Sequence, residues 1–156
     1  MIEIILFEPQ IPQNTGNIIR LCSNTGSALH IIHPTGFGWN DKKLKRAMLD
    51  YEEFSQVSHY ESWQDFLKNH DISKIWAFTT KGEKSVFKAE IKKDDFLLFG
   101  SETAGLSAEI HKDLKQEQKI RLPMQRISRS MNLSNSVAVG LYEAMRQNKM
   151  LDEIFL

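Results

Sequence analysis

A chain of 156 residues, 41% apolar and 26% charged, is long enough to bury one core and is composed like an ordinary globular domain. Twenty basic residues balance twenty acidic ones, which excludes a general basic footprint for nucleic acid; an RNA-binding face has to be gathered locally or pooled by oligomerisation. The single cysteine, Cys22, excludes an internal disulfide framework and points to a reducing cytoplasm, and no apolar run approaches the ~20 residues of a membrane span.

Residues 2–7 (IEIILF) read as a buried strand. The acid at position 3, the lack of a basic segment before it and the early Pro9 argue against a leader. Pro9 and Pro12 punctuate a loop that ends at Asn14-Thr15-Gly16. Asn14 or Thr15 is expected to cap a helix running to about residue 24. Ile18, Ile19, Leu21 and Cys22 would face inward, and Gly26 would stop the helix. Residues 29–32 form a second strand closed by Pro34, and 35–40 a loop. Residues 41–48 make a short helix with Lys42, Lys43, Lys45 and Arg46 on a basic face. Residues 50–59 fit neither period cleanly.

A helix is expected over 63–69, opened by Glu61 or Ser62, and a strand over 74–79, followed by the polar turn 80–83. Residues 96–99 are the next strand, 107–115 a helix and 120–122 the last strand. The closing helix covers 135–148, capped by Ser134 or Asn135, with Val137, Ala138, Leu141, Tyr142 and Met145 in its apolar stripe. Strands and helices alternate, and the strands are apolar on both faces. The class is therefore α/β: a mostly parallel sheet with helices on both faces, in one domain over 1–156.

In open α/β sheets, ligands bind beyond the carboxyl ends of the strands. Three such ends carry polar or glycine turns: 78–80, 99–102 and 122–124. Gly100 and Gly105 bracket Glu102 and let the backbone approach a ligand closely. Each turn alone is explained as well by local folding; together they indicate a pocket. The run 128–136 (SRSMNLSNS) holds more small polar residues than one helix cap needs. It reads as a ligand loop anchored by Met131 and Leu133, with Arg126 and Arg129 placed to meet a phosphate. In 14–20, Asn17 and Arg20 are three apart and share a helix face, and Gly16 admits a close neighbour. Dinucleotide, P-loop and nucleophile-elbow signatures are absent, and the five histidines are scattered, so no metal site is expected. Cys22 reads as a small buried side chain rather than a nucleophile.

NTGNIIRLCSNTG, FGSETAGL and IRLPM followed by SRSMNLSNSVAVGLYEA resemble the three motifs of the SPOUT superfamily of RNA methyltransferases. The likeness runs through EPQIPQNTGN and LDYEEF, and is strongest to the minimal, single-domain YibK/TrmL group of tRNA (cytidine/uridine-34)-2′-O-methyltransferases. The resemblance implies a C-terminal trefoil knot, which pattern rules alone argue against. It implies S-adenosyl-L-methionine as cofactor, held by Phe78, Thr79, Gly100, Glu102, Gly105, Ile120, Leu122, Ser130 and Leu133. It implies a cytoplasmic homodimer in which Arg20, assisted by Asn14, serves the partner's site as the catalytic pair. The substrate would be the anticodon stem-loop of leucine tRNAs, contacted by Asn17, Ser128, Arg129 and Tyr142. Tyr142 could equally pack at the dimer interface. Other readings of the same motifs are a 2′-O-methyltransferase of ribosomal RNA and a catalytically silent RNA-binding module. Ser101 and Ala104 stand where many relatives carry Pro and Arg, which removes one basic contact from the RNA side. A dimer would pool residues 42–46, Arg126, Arg129 and the 81–88 loop into one basic surface.

Overall fold

The computed structural model describes residues 1–48 and 56–154. LDYEEF, at 49–54, therefore lies outside the described residues, as does most of the ambiguous stretch 50–59. Seven strands form one sheet: β1 (Glu3–Phe7), β2 (Leu29–Ile32), β3 (Val57–Tyr60), β4 (Ile75–Phe78), β5 (Lys84–Ser85), β6 (Phe96–Phe99) and β7 (Lys119–Arg121). Every pairing is parallel, in the order β3-β2-β1-β6-β4-β7-β5. The helices are α1 (Pro12–Thr25), α2 (Lys42–Met48), α3 (Trp63–Leu67), α4 (Ala108–Asp113), α5 (Leu133–Gln147) and α6 (Leu151–Ile154). The expected parallel α/β class is what the chain adopts; β5 and α6, of two and four residues, are too short for a periodic signal.

The continuous apolar runs are explained by two-sided burial. Ile4, Leu6, Leu97 and Phe99 enter one core with residues of α1, α2 and α5, among them Ile18, Ile19, Leu44 and Leu141. Ile5, Phe7, Phe96 and Leu98 enter a second core on the other face, with Trp63 and Phe66 of α3 and Ile110 of α4. Successive strand residues thus alternate between two helix layers. Cys22 is fully buried in the first core, and burial pushes its thiol up to about 12, which makes it inert at neutral pH.

Four helix starts differ from the sequence reading, that of α2 only in beginning at Lys42 and not at residue 41. α1 begins at Pro12, with Ile11 at the cap position, so Asn14 and Thr15 lie inside the first turn and are buried. Proline's fixed φ suits the first helical position, and it displaces the cap upstream. α5 is capped by Asn132, whose side chain accepts from the Asn135 N–H at 3.2 Å, so Ser134 and Asn135 fall within the helix. Ser107 caps α4 instead of opening it. The apolar stripe of α5 is also narrower than expected: Val137, Leu141 and Met145 are buried, while Tyr142 is exposed. Gly16 does admit a close neighbour, but that neighbour is α2: a Cβ there would lie 2.4 Å from the Ala47 Cβ.

One buried polar contact at the sheet's rim has a measurable consequence. His30 Nε2 lies 2.6 Å from Glu3 Oε2, and this hydrogen bond holds the Glu3 carboxyl below its ordinary value of 4.5. A carboxyl lowered in the folded state contributes stability above its unfolded pKa and loses it as pH falls through the folded value. Glu3→Gln is therefore expected to lower the urea midpoint at neutral pH, with the difference from wild type shrinking below about pH 4. A difference that grows on acidification would contradict this linkage.

Candidate functional site

The order of strands builds the site. β6 inserts between β1 and β4, and β7 between β4 and β5, so β6, β4 and β7 are side by side and parallel. The three carboxyl ends singled out in the sequence, at Phe99, Phe78 and Leu122, therefore meet at one rim. There they line a cleft of about 1220 Å³. Phe78 and Phe99 stack with ring centroids 4.4 Å apart. α5 packs onto this pair through Gly140, where a Cβ would lie 2.7 Å from the Phe78 ring.

The loop after β6 folds back on itself. The Ser101 N–H donates to the Gly105 carbonyl at 3.2 Å, and the Gly105 N–H donates to the Ser101 carbonyl at 3.1 Å. Ser101 Oγ accepts from the Ala104 N–H at 3.1 Å. Gly105 adopts φ +68°, in the left-handed region. Gly100 sits so close beneath it that a Cβ would lie 2.3 Å from the Gly105 carbonyl carbon. This tight double turn presents residues 100–106 to the cleft.

Glu102 lines the cleft, but its carboxylate serves α1. It accepts the N–H groups of Gln10 (2.8 Å) and Ile11 (3.0 Å) and Asn14 Nδ2 (3.2 Å). α1 has no side-chain cap of its own, so Glu102 supplies one across the fold, where a negative charge meets the positive end of the helix dipole. Asn14 Oδ1 in turn accepts from Asn132 Nδ2 at 3.0 Å. Glu102, Asn14 and Asn132 thus tie the β6 loop, the start of α1 and the cap of α5 into one unit. Glu102→Ala is expected to cost about 1 kcal/mol of stability, the usual value of a helix cap. It should also slow turnover more than it weakens ligand binding at the cleft. Loss confined to binding would restore a direct ligand role for Glu102.

Most of the expected site residues are brought together. Phe78, Thr79, Gly100, Glu102, Gly105, Leu122, Ser130 and Leu133 line the cleft, and so do Asn14, Ser128 and Arg129. Ile120 does not: it is fully buried in the sheet, and its carbonyl accepts the Thr79 N–H at 2.9 Å. Arg20, Asn17 and Tyr142 are not among the lining residues of this single chain. Nor does Asn14 hold Arg20 within the chain, since six residues separate them on α1, about 240° around the axis. Of the two proposed loop anchors, Leu133 is buried, whereas Met131 is exposed.

Sequence reasoning placed the 81–88 loop on a basic surface pooled by a dimer and missed Arg121; the structure puts both in the wall of this single chain's cleft. Lys84, Lys88 and Arg121 line the cleft from β5, the turn after it and β7. With Arg126 and Arg129 they make five basic lining residues against two acidic ones, Glu83 and Glu102. A chain of zero net charge thereby gathers a basic cleft, which suits an anionic ligand. The lysine-rich run 81–93 signalled Lys84 and Lys88, whereas Arg121, a single charge on a short strand, left no signal. Among the described residues, no three His, Cys, Asp or Glu side chains are arranged to hold a metal ion, and no helix is long and apolar enough to cross a membrane.

Comparison with known proteins agrees with this geometry. The model of the SpoU rRNA Methylase family matches residues 1–142. The tRNA (cytidine(34)-2′-O)-methyltransferase of Yersinia pestis is 53% identical over 152 residues, covering 94% of each chain. A solved structure described as giving insight into 2′-OH methylation of C/U34 on tRNA superposes with a TM-score of 0.88 at 38% identity, over 94% of this chain and 95% of the other. The SpoU methyltransferase AviRb of Streptomyces viridochromogenes, solved with AdoMet, superposes with a TM-score of 0.82 at 24% identity, over 93% of this chain and 57% of the other. That last likeness speaks to the fold.

Proposed function

The chain belongs to the SpoU rRNA methylase family, and on that premise we propose that it is an S-adenosylmethionine-dependent 2′-O-methyltransferase acting on tRNA. Its target in this reading is the wobble nucleotide 34, a cytidine or modified uridine, of leucine tRNAs in the cytoplasm. The observation that carries the reading is the near-full-length identity to a cytidine-34 enzyme, 53% over 94% of both chains.

The cleft fits that cofactor. Its volume of about 1220 Å³ leaves room for a nucleoside-sized ligand beside a reacting ribose. Phe78, Leu122 and Leu133 supply apolar walls suited to a purine, and the glycine-bracketed loop 100–105 brings main-chain groups to the same space. When bound, S-adenosylmethionine supplies an electrophilic methyl on a sulfonium. What remains for the protein is to hold a ribose oxygen in line and to favour its deprotonated form. Arg20 suits the second task electrostatically: a guanidinium stays protonated, so it orients the ribose and stabilises negative charge on the 2′-oxygen without acting as a base. Asn14 aids catalysis by fixing the start of the helix that carries Arg20. Asn17, Ser128, Arg129 and Tyr142 face the RNA in this reading.

Arg20 reaches the reacting oxygen from a second subunit, which makes the functional unit a homodimer. Supporting this, α5 leaves Val139 and Tyr142 exposed by 41% and 43%, three residues apart on one face of the helix. The trefoil knot belongs to the same reading, supported by the insertion of β6 and β7 between earlier strands and the return of α5 over Phe78. The whole chain is then a single SPOUT domain.

The deciding experiment incubates the protein with methyl-labelled S-adenosylmethionine and total tRNA, then maps the label by nuclease digestion. Label on the 2′-oxygen of nucleotide 34 in leucine isoacceptors is expected. Label on a base, label in ribosomal RNA alone, or none would overturn the assignment.

A further inference from the structure

Phe87 is 57% exposed, yet the backbone that carries it is fixed. Its neighbours Val86, Ala89 and Ile91 are buried in the core. The segment is also pinned to α5: the Ile91 N–H donates to Gln147 Oε1 at 3.1 Å, and Asn148 Nδ2 donates to the Ile91 carbonyl at 2.9 Å. A lone exposed apolar side chain needs no explanation. This one has a setting. Residues 81–93 (KGEKSVFKAEIKK) carry five lysines against two glutamates, in a chain of zero net charge. Lys88 lines both the large cleft and an adjoining groove of about 510 Å³, whose walls include Phe87 and Lys92. Lys88 therefore borders both the cleft and the groove. Arg146, also in the groove's lining, is held by Glu143 through contacts of 2.8 and 3.0 Å, which leaves Lys88 and Lys92 as cations beside one acid, Glu90.

From this setting we infer that Phe87 is a base-stacking platform for an unpaired nucleotide neighbouring the one that is methylated, with Lys88 and Lys92 on the adjacent phosphates. The inference rests on the tRNA-methyltransferase reading and extends the RNA path beyond the reaction cleft. Sequence-tolerant RNA binding combines aromatic rings, on which unpaired bases stack, with a cationic groove along the backbone. A protein partner would instead require a contiguous apolar patch, and here the exposed ring shares its groove with the charged Lys88, Glu90 and Lys92.

The test compares wild type with Phe87→Ala, Phe87→Leu and Phe87→Trp in methylation kinetics. Binding of an anticodon stem-loop carrying 2-aminopurine beside the methylated nucleotide is measured in parallel. Phe87→Ala is expected to raise KM for tRNA roughly ten- to a hundredfold, the range for losing one stacked base. It should also abolish 2-aminopurine quenching, while cofactor affinity and melting temperature stay at wild-type values. Phe87→Trp should restore both signals and Phe87→Leu neither. Wild-type methylation with an unchanged KM in Phe87→Ala overturns the platform alone, and rescue by Phe87→Leu overturns stacking. Failure of wild type itself to methylate or bind any tRNA overturns the function and the platform together.

Discussion

Arg20→Ala is expected to reduce methyl transfer by about 10²- to 10³-fold, the range for removing one preorganised stabiliser of developing charge. The affinity for S-adenosylmethionine should change little, because Arg20 does not line the cleft of its own chain. The geometry of α1 is compatible with the proposed division of labour between subunits. Asn14, in the first turn, lines the cleft and is locked to Glu102 and Asn132. Arg20 lies six residues further on, about 9 Å along the axis and on a different face. One helix can thus complete its own subunit's cleft with Asn14 while offering Arg20 to another. A mixing experiment checks this directly. Arg20→Ala chains combined one to one with chains disabled in the 100–105 turn should form heterodimers as half of all dimers. Each heterodimer has one intact site of two, so about a quarter of wild-type activity should return from two inactive parents. No recovery would place Arg20 in its own subunit's chemistry, or outside it.

The parts of this site that were legible in the sequence are those with a local cause. Runs such as residues 96–99 are apolar at successive positions because both faces of β6 are covered, and that composition is visible without a structure. The turn at 100–105 and the run 128–136, which leads into α5, announce themselves by glycine, serine and asparagine. Contacts between distant segments leave no such trace. Glu102 stands 92 residues from the Gln10 N–H that it accepts, and nothing near either residue signals the bond. Ile120 and Leu122 have the same chemistry, but Ile120 lies within β7 and Leu122 just past its end, so only Leu122 reaches the rim. The start of α1 has a local cause too: Pro12 occupies the first helical position, which proline favours, ahead of the polar residues that follow it.

Gly100→Ala should be the most damaging small substitution in the 100–105 turn, and the reason is steric. The added Cβ would lie 2.3 Å from the Gly105 carbonyl carbon, 2.5 Å from the Leu106 nitrogen and 2.7 Å from the Gly105 Cα. All three are backbone atoms, so no side chain can rotate aside; the double turn itself must open. Overpacking of this kind costs about 1–3 kcal/mol. The displacement falls on the segment that faces the cleft, so cofactor affinity should drop at least about tenfold, the equivalent of 1.4 kcal/mol. Gly105→Ala provides the contrast. Its Cβ would meet nothing within 4 Å, and its cost comes from φ +68° alone, about 1–2 kcal/mol for a residue with a side chain. Calorimetric titration with S-adenosylmethionine and thermal melting should then separate the two variants. Both should melt earlier than wild type, but Gly100→Ala should lose far more affinity per degree of melting temperature lost. Equal loss of affinity at equal loss of stability would mean that the 100–105 turn matters to the fold and not to the shape of the cleft, because strain spread through the domain would then explain both variants without any local displacement of the loop.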